Sequence, residues 1–428
     1  MRRVLSGVLW MTLLLMGVVP DVAKAGPLSN SQLFGQFNAI IFGNFTTSFE
    51  VGGRMVVGGS ISGGGNYDFN PNNATASAFA ALSVYGSITS GGTFNINGSG
   101  GVAVAGSSNA ALNLNTAGPV YVGGANSGAI SGATGSVTVV GANSNTVTAS
   151  GASVYVGGNS STLTVNGAAT TIAVNGNNSG TIQVNANGST LSLKGNNTGS
   201  VNLNNGTINY TGSLGSGNMN NDVKNQVASL NLTPPASTLG SFSTIFVQPL
   251  IQLSSQLAAL TANSTAALTN GSLTFTGHPN SAGVAIFNVS SSQFGGASTI
   301  TLNLGGATSA IINVNVDNCA NNVCAFNPTV NFNDTSYASV LLWNFANATN
   351  LNFTTAFGGS ILAPYAALTE SAPIDGTVVA ASMSTSSEVH SYGYTGSFPG
   401  ATAASEPATL ALVGTGLVGL AVLGRRKR

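Results

Sequence analysis

Leu163-Thr-Val165-Asn-Gly167, Ile172-Ala-Val174-Asn-Gly176, Ile182-Gln-Val184-Asn185, Leu191-Ser-Leu193 and Val201-Asn-Leu203 are five statements of one phrase. An apolar residue, any residue and a second apolar residue are usually followed by Asn or Gly. The starts at 163, 172, 182, 191 and 201 are separated by 9, 10, 9 and 10 residues, so two phrases make a unit of 19. Alternation with period two puts the first and third residue of each phrase on one face of a strand. Asn and Gly supply turns with positive φ at low cost. Strands this short cannot close a core singly, but stacked coil upon coil they bury a continuous column of Val, Ile and Leu. A coil of 19 residues with two or three short faces is a parallel β-helix. The competing arrangement, an antiparallel meander joined by Asn-Gly hairpins, fits the short strands and their longer connections poorly.

Working outward, the phrase returns upstream as Val102-Ala-Val104, Val120-Tyr-Val122-Gly-Gly124 and Val154-Tyr-Val156-Gly-Gly158, and it breaks at about Gly212. Asn221 to Leu230 reads as a short helix. Beyond Pro234-Pro235, Phe242, Ile245, Phe246, Leu250, Leu253, Leu257 and Leu260 form an apolar stripe on one helical face. Pro249 must kink that helix or lie in its first turn. A lone amphipathic insertion, at about 218–265, is expected to pack along the solenoid or cover an open end. Strand phrases resume at Leu273-Thr-Phe275, Val284-Ala-Ile286, Ile300-Thr-Leu302 and Ile311 to Val314. They continue through Val340 to Trp343, Leu351-Asn-Phe353, Ser360-Ile-Leu362 and Thr377-Val-Val379. The expected fold is all-β, a single parallel β-helix domain over 26–398 with one amphipathic helix alongside, then a linker at 399–404.

Both ends carry targeting signals. Arg2 and Arg3 precede an apolar stretch from Val4 to Val19, and Ala23-Lys24-Ala25 offers small residues at the cleavage spacing. That is a secretory signal peptide over 1–25, cut after Ala25. At the other end, Ser405-Glu406-Pro407 is followed by an apolar run at 408–424 and then Arg425-Arg426-Lys427-Arg428. Seventeen apolar residues are near the minimum for a transmembrane helix, and the cations would hold its end at the cytoplasmic face. The tail resembles the PEP-CTERM sorting signal of Gram-negative bacteria, although Ser405 stands where proline is usual. That resemblance implies processing by an exosortase and only a transient stay at the inner membrane.

Between the two ends charge is sparse. Residues 26–404 hold three cations, Arg54, Lys194 and Lys224, against eight acids, a net charge of −5. No basic patch exists to neutralise phosphates, which excludes nucleic-acid binding. Enough Val, Ile, Leu and Phe is present to exclude disorder. Asn-X-Ser/Thr triplets such as Asn44-Phe-Thr46 and Asn263-Ser-Thr265 reflect the composition. The two cysteines, Cys319 and Cys324, sit close together, and export favours a disulfide between them. Zinc would need two more ligands, and His278 and His390 belong to other segments.

The polar candidates are few. Enzymes on β-helices need converging carboxylates, and Asp317, Asp334, Glu370, Asp375 and Glu388 spread over 72 residues. Glu388-Val-His390 places an acid and an imidazole on one strand face, suited to a cation, to acid–base chemistry, or simply to closing the last coil. Arg54 near Glu50 reads as a structural ion pair with that or another acid. Calcium could use Asp317 and Asn318, or Asp334, with carbonyls, but no EF-type spacing supports it. Thr146-Val-Thr148, Thr162-Leu-Thr164, Thr274-Phe-Thr276 and Thr299-Ile-Thr301 would order water if they lay in register, as in some ice-binding β-helices, yet their sequence spacing is irregular. No cofactor is implied.

Three further segments carry a family resemblance. They are Phe37 to Phe45 with Val51-Gly-Gly-Arg-Met-Val-Val-Gly-Gly59; Phe357-Gly-Gly-Ser-Ile-Leu-Ala-Pro-Tyr-Ala366; and Ile374-Asp-Gly-Thr-Val-Val-Ala-Ala381 with Glu388-Val-His390 and Gly396. Together they are similar to the choice-of-anchor A domain, whose members end in different surface-anchoring tails. The resemblance implies a surface or matrix protein of adhesive type without established chemistry. The paired targeting segments, the uncharged repetitive face of Asn, Ser and Thr and the lack of a catalytic cluster lead to the expectation of a protein that meets polysaccharide, surfaces or copies of itself and acts in biofilm or extracellular matrix. The alternatives are a carbohydrate-active enzyme on the same scaffold and an ice-binding protein.

Overall fold

Phrases one unit apart pair in parallel and in register. Val154–Val156 lies on Ile172–Val174, then Leu191–Leu193, then Ile208–Tyr210, and this ladder is called face A. The alternate phrases Leu163–Val165, Ile182–Val184 and Val201 make a second ladder, face B. Their apolar residues point inward, and Val154, Val156, Leu163, Ile172, Ile182, Leu191 and Val201 are almost fully enclosed. The structure, a computed structural model, describes residues 27–400 apart from 64–65, 70–76, 152, 168–169, 216–221, 318 and 322. The signal segment with Ala23 and Ala25, Asn318, and the tail from Ser405 through the run at 408–424 to Arg428 lie outside the described residues. Among the described residues no helix is long and apolar enough to cross a membrane.

A third face completes each coil, and its width varies. In one half of the solenoid it has true strands, such as Phe45–Thr47 on Met383–Thr385 and Asn350–Phe353 on Ala367–Glu370. In the other half it narrows to one bridging residue per coil, through Ser108, Asn126, Asn143, Asn159, Asn178 and Asn197.

The coils do not stack in chain order. Along face A the sequence of strands is Val284–Ser290, Ser309–Asn315, Leu341–Asn344, then the first parts of Ser360–Glu370 and Val378–Thr385. Next comes Ala39–Ile41, then Met55–Val57, Leu82–Val84 and so on to Thr207–Tyr210 and Val223–Gln226. The chain thus enters at mid-stack, climbs to one end, returns along the side, and climbs from the other end to meet its own beginning. At that seam Asn38 Nδ2 donates to Gly376 O at 2.8 Å and His390 O at 3.0 Å. Thr377 Oγ1 donates to Phe37 O at 2.8 Å. Helix α1 (Asn30–Gln36), closed by a Ser29/Gln32 capping box, lies beside it.

The returning segment carries α2 (Gln248–Ala258), preceded by a five-residue π-type turn, Ser243–Val247. Pro249 has no N–H to give to the preceding turn, and the wider turn relieves that mismatch. The apolar stripe packs as its spacing predicts. Ile245, Phe246, Leu250, Leu253 and Leu257 bury against Ile40, Val56, Ile286, Ile311, Leu342 and Val379 on the outer side of face A. Under the helix, face A is therefore apolar on both sides. Leu253→Ala should cost about 3 kcal/mol, read as a shift in the chemical-denaturation midpoint. An unchanged midpoint would mean that the helix is only loosely applied.

One element differs from its sequence reading. Residues 223–226 form a strand, Val223–Gln226, parallel to Thr207–Tyr210, and not part of a helix. All four residues are exposed, so no apolar stripe holds a helix there. The unpaired edge of the last coil offers a ladder instead, and weak helix propensity yields to it. At the opposite end Asn270 (φ 48°) and Gly271 (φ 78°) turn an antiparallel hairpin, Thr265–Thr269 with Ser272–Thr276. Asn263 closes the nearby edge, donating to Val284 O at 3.1 Å and accepting from Ile286 N at 2.7 Å.

Candidate functional site

With Leu163 and Val165 inside, Thr162 and Thr164 must face out from face B. Register then stacks Thr162 with Thr181 and Ser200, and Thr148 with Thr164, Gln183 and Asn202. The second rank continues below as Ser131, Asn113 and Asn95 past a bulge with Gly132 at φ 73°. Neighbours bond along the rank. Ser131 Oγ donates to Asn113 Oδ1 at 2.9 Å, Asn113 Nδ2 to Asn95 Oδ1 at 3.0 Å, and Asn202 Nδ2 to Gln183 Oε1 at 2.9 Å. The result is an ordered surface of hydroxyls and amides repeating every ~4.8 Å. The pairs at Thr274 and Thr301, and Ser272 and Thr299, belong to a separate three-stranded patch at the hairpin end. Threonine therefore comes into register locally, in two patches.

Beneath the corner of the same coils runs a buried amide ladder that sequence reading did not single out. Asn126 Nδ2 donates to Asn143 Oδ1 at 2.9 Å, Asn143 to Asn159 at 3.1 Å, Asn159 to Asn178 at 2.8 Å and Asn178 to Asn197 at 2.6 Å. Each amide also donates to the carbonyl two residues on, as Asn159 does to Ser161 O at 2.8 Å. A signal was present. All five lie in Gly-x-Asn-Ser/Thr: Gly124 to Ser127, Gly141 to Ser144, Gly157 to Ser160, Gly176 to Ser179 and Gly195 to Thr198. The glycine is required by close stacking, since a Cβ on Gly195 would sit 2.5 Å from the backbone of Gly176. This ladder stiffens the edge of face B and holds its outer ranks at constant pitch.

The acids do not gather in one place. His390 lies at the seam with Nδ1 2.5 Å from Asp375 Oδ1 and Nε2 2.9 Å from Glu388 Oε2. Burial pulls the imidazole pKa down, and the two carboxylate bonds more than offset it, so His390 stays raised. Glu370, 1% exposed, accepts from Thr385 Oγ1, and burial lifts its carboxyl to about 7. Asp317 is elsewhere. It accepts from Ser291 Oγ at 2.5 Å and Ser292 Oγ at 2.6 Å, which draws it down to about 2. Asp334 holds Ser336. Arg54 is buried at the seam with Nη1 donating to Gln36 O at 3.1 Å, and burial lowers its pKa. Cys319 and Cys324 pair across a two-residue antiparallel ladder and are joined by a disulfide. Among the described residues no cluster of three or more His, Cys, Asp or Glu could hold a metal ion.

No curated protein matches the sequence. Among solved structures, an ice binding protein from an Antarctic bacterium, Flavobacteriaceae, aligns over 87% of this chain and 99% of its own. With 13% identity and a TM-score of 0.22, that likeness carries no argument. A family model matches residues 30–131 and 112–391. The chain therefore belongs to the family described as "Putative Ice-binding-like adhesive domain".

Proposed function

We propose that this protein is an exported, non-enzymatic adhesin of the cell surface or extracellular matrix, with the outer side of face B as its contact surface. The observation that carries the reading is the ordered, uncharged array of Thr148, Thr164, Gln183 and Asn202 beside Thr162, Thr181 and Ser200. Such a surface offers donors and acceptors at a fixed pitch to polysaccharide, to a solid surface or to another copy. Membership of an adhesive-type family supports an extracellular or surface location. The tail that resembles PEP-CTERM and the segments similar to choice-of-anchor A support a finer account. An exosortase sorts and cleaves the chain near Glu406 after a transient stay at the inner membrane, and the product acts in biofilm or exopolysaccharide matrix. Both ring nitrogens of His390 are engaged by carboxylates, which supports a structural role there over acid–base catalysis.

The test is charge insertion. Thr148→Lys with Thr164→Lys should reduce attachment of protein-coated beads to exopolysaccharide at least several-fold while leaving the melting temperature within about 2 °C. Undiminished attachment sinks the reading, as does a deletion strain with normal biofilm and flocculation. A second reading, ice binding, draws on the same threonine ranks. Thermal hysteresis abolished by the same pair of substitutions would select it, and no effect on ice at high protein concentration would dispose of it.

A further inference from the structure

The outer side of face A changes character along a line. Ile286, Ile311 and Leu342 form a rank across three successive coils and are covered by α2. Two places along the same strands the rank becomes Asn288, Asn313 and Asn344, followed by Ser290 and Asn315. Helix α2 runs from coil to coil over that rank, and Asn344 and Asn313 bond to the Ser254 and Leu257 carbonyls on its flank, so the positions beyond this line lie uncovered. They open into a groove of about 470 Å³ lined chiefly by Ala258, Asn288, Asn313, Asn315, Asn344 and Asn347.

Its floor is preorganised. Asn344, 1% exposed, donates to Ser254 O and to Asn313 Oδ1, each at 2.9 Å. Asn313 donates to Leu257 O at 2.8 Å and to Asn288 Oδ1 at 3.1 Å. On the wall Asn347 Nδ2 donates to Asn315 Oδ1 at 3.2 Å and to Val316 O at 2.9 Å. These bonds fix the amide planes but leave the exposed Asn288 and Asn315 with Nδ2 groups that meet no protein acceptor among the described residues. Neither a charged side chain nor an aromatic ring lines the groove.

We infer that this groove is a binding site for an uncharged, hydroxyl-rich chain, a neutral polysaccharide segment. Asn288 and Asn315 each offer an Nδ2 donor beside an Oδ1 that keeps a second lone pair, the pattern that a vicinal pair of hydroxyls satisfies. A wholly uncharged lining gives an anionic or cationic ligand no partner to replace its lost hydration. Three coils span about 10 Å, room for roughly two or three sugar units, and the coil pitch is close to the repeat of an extended sugar chain. Successive units then meet successive coils. With no ring to stack on, affinity for one unit is low, so the site selects a polymer that engages many copies at once. The site lies on face A and is independent of the face B contact surface.

Titration calorimetry and saturation-transfer NMR with cellohexaose, mannohexaose and chitohexaose test it, with polygalacturonate as the charged control. Saturable binding of at least one neutral hexaose is expected, and none of polygalacturonate. Asn288→Leu with Asn315→Leu removes two exposed donors and should weaken binding roughly 10- to 30-fold, with the fold checked by thermal unfolding. Ala258→Trp, which fills the groove from an exposed helix end and removes no hydrogen bond, should do the same. The Thr148→Lys, Thr164→Lys protein should bind the hexaose normally. Absence of saturable binding to all three neutral sugars overturns the site. So does affinity that survives the groove variants, and if that affinity is then lost in the face B variant, the sugar belongs to face B.

Discussion

Raising the pH from 4.5 to 8 is expected to cost the fold about 3 kcal/mol, and Glu370→Gln to remove most of that loss. The carboxyl sits inside the coil next to Thr385, and burial raises it from its ordinary 4.5 to about 7. A group whose pKa is higher when folded binds its proton more tightly in the native state. Its contribution is complete below pH 4.5 and disappears as pH climbs through about 7. His390, also raised, runs in the same direction, its support from Asp375 and Glu388 fading as the imidazolium deprotonates. Asp317 runs oppositely. Drawn down to about 2, it stabilises above its ordinary 3.8 and loses that contribution as pH falls towards 2. Stability should therefore peak near pH 4–5. Urea titrations of the wild type and Glu370→Gln at pH 4.5, 6 and 8 check this. Parallel curves for the two proteins would show that Glu370 ionises without penalty, and that its site is wetter than the packing indicates.

Asn159→Leu is expected to be the costliest single change in the repeat, about 3–5 kcal/mol. Leucine matches asparagine in shape but leaves three polar groups stranded: Asn143 Nδ2 on the coil before, Asn178 Oδ1 on the coil after and Ser161 O within the turn. Each buried orphan costs about 1–3 kcal/mol. Asn166→Ala is the control, since that side chain is not buried and lies on the outside of face B, where it accepts from Asn185. Its cost should stay under about 1 kcal/mol. Hydrogen exchange localises the effect. Amides in the coils on either side of Asn159 should lose protection first, because each coil rests only on its neighbours. If exchange rises evenly along the solenoid, the ladder is not a local strut.

The strand ladders were legible because an inward residue must recur wherever coils stack, and Val154, Ile172 and Leu191 recur on time. The stripe from Ile245 to Leu257 was legible for the same reason at a different period. The order of coils was not. Ala39-Ile-Ile41 would accept any apolar three-residue partner, and nothing in its side chains says that one neighbour is Met55 and the other Val378. The strand at 223–226 escaped because its cause lies in the edge it meets and not in its own residues. Glu388 with His390 was visible as a same-face pair. Asp375 was harder, because it joins them from one coil earlier, 15 residues away, where Ile374 stacks on Val389. The buried asparagines were hidden by their own abundance. Within the repeat, only the glycine two places earlier separates the five asparagines of the ladder from those that face water.

Because the first coils pair with the last, synthesis and assembly run in different orders. Asn38 leaves the ribosome early and waits for Gly376, 338 residues later. Until then one edge of Ala39–Ile41 offers bare amides and carbonyls to any passing strand. Contacts of such long separation also form slowly. A chain stalled or clipped before residue 378 would keep the repeat region folded and yet expose an open edge at its waist. Such fragments are expected to associate with one another through that edge, which the whole protein keeps paired with its own last coil.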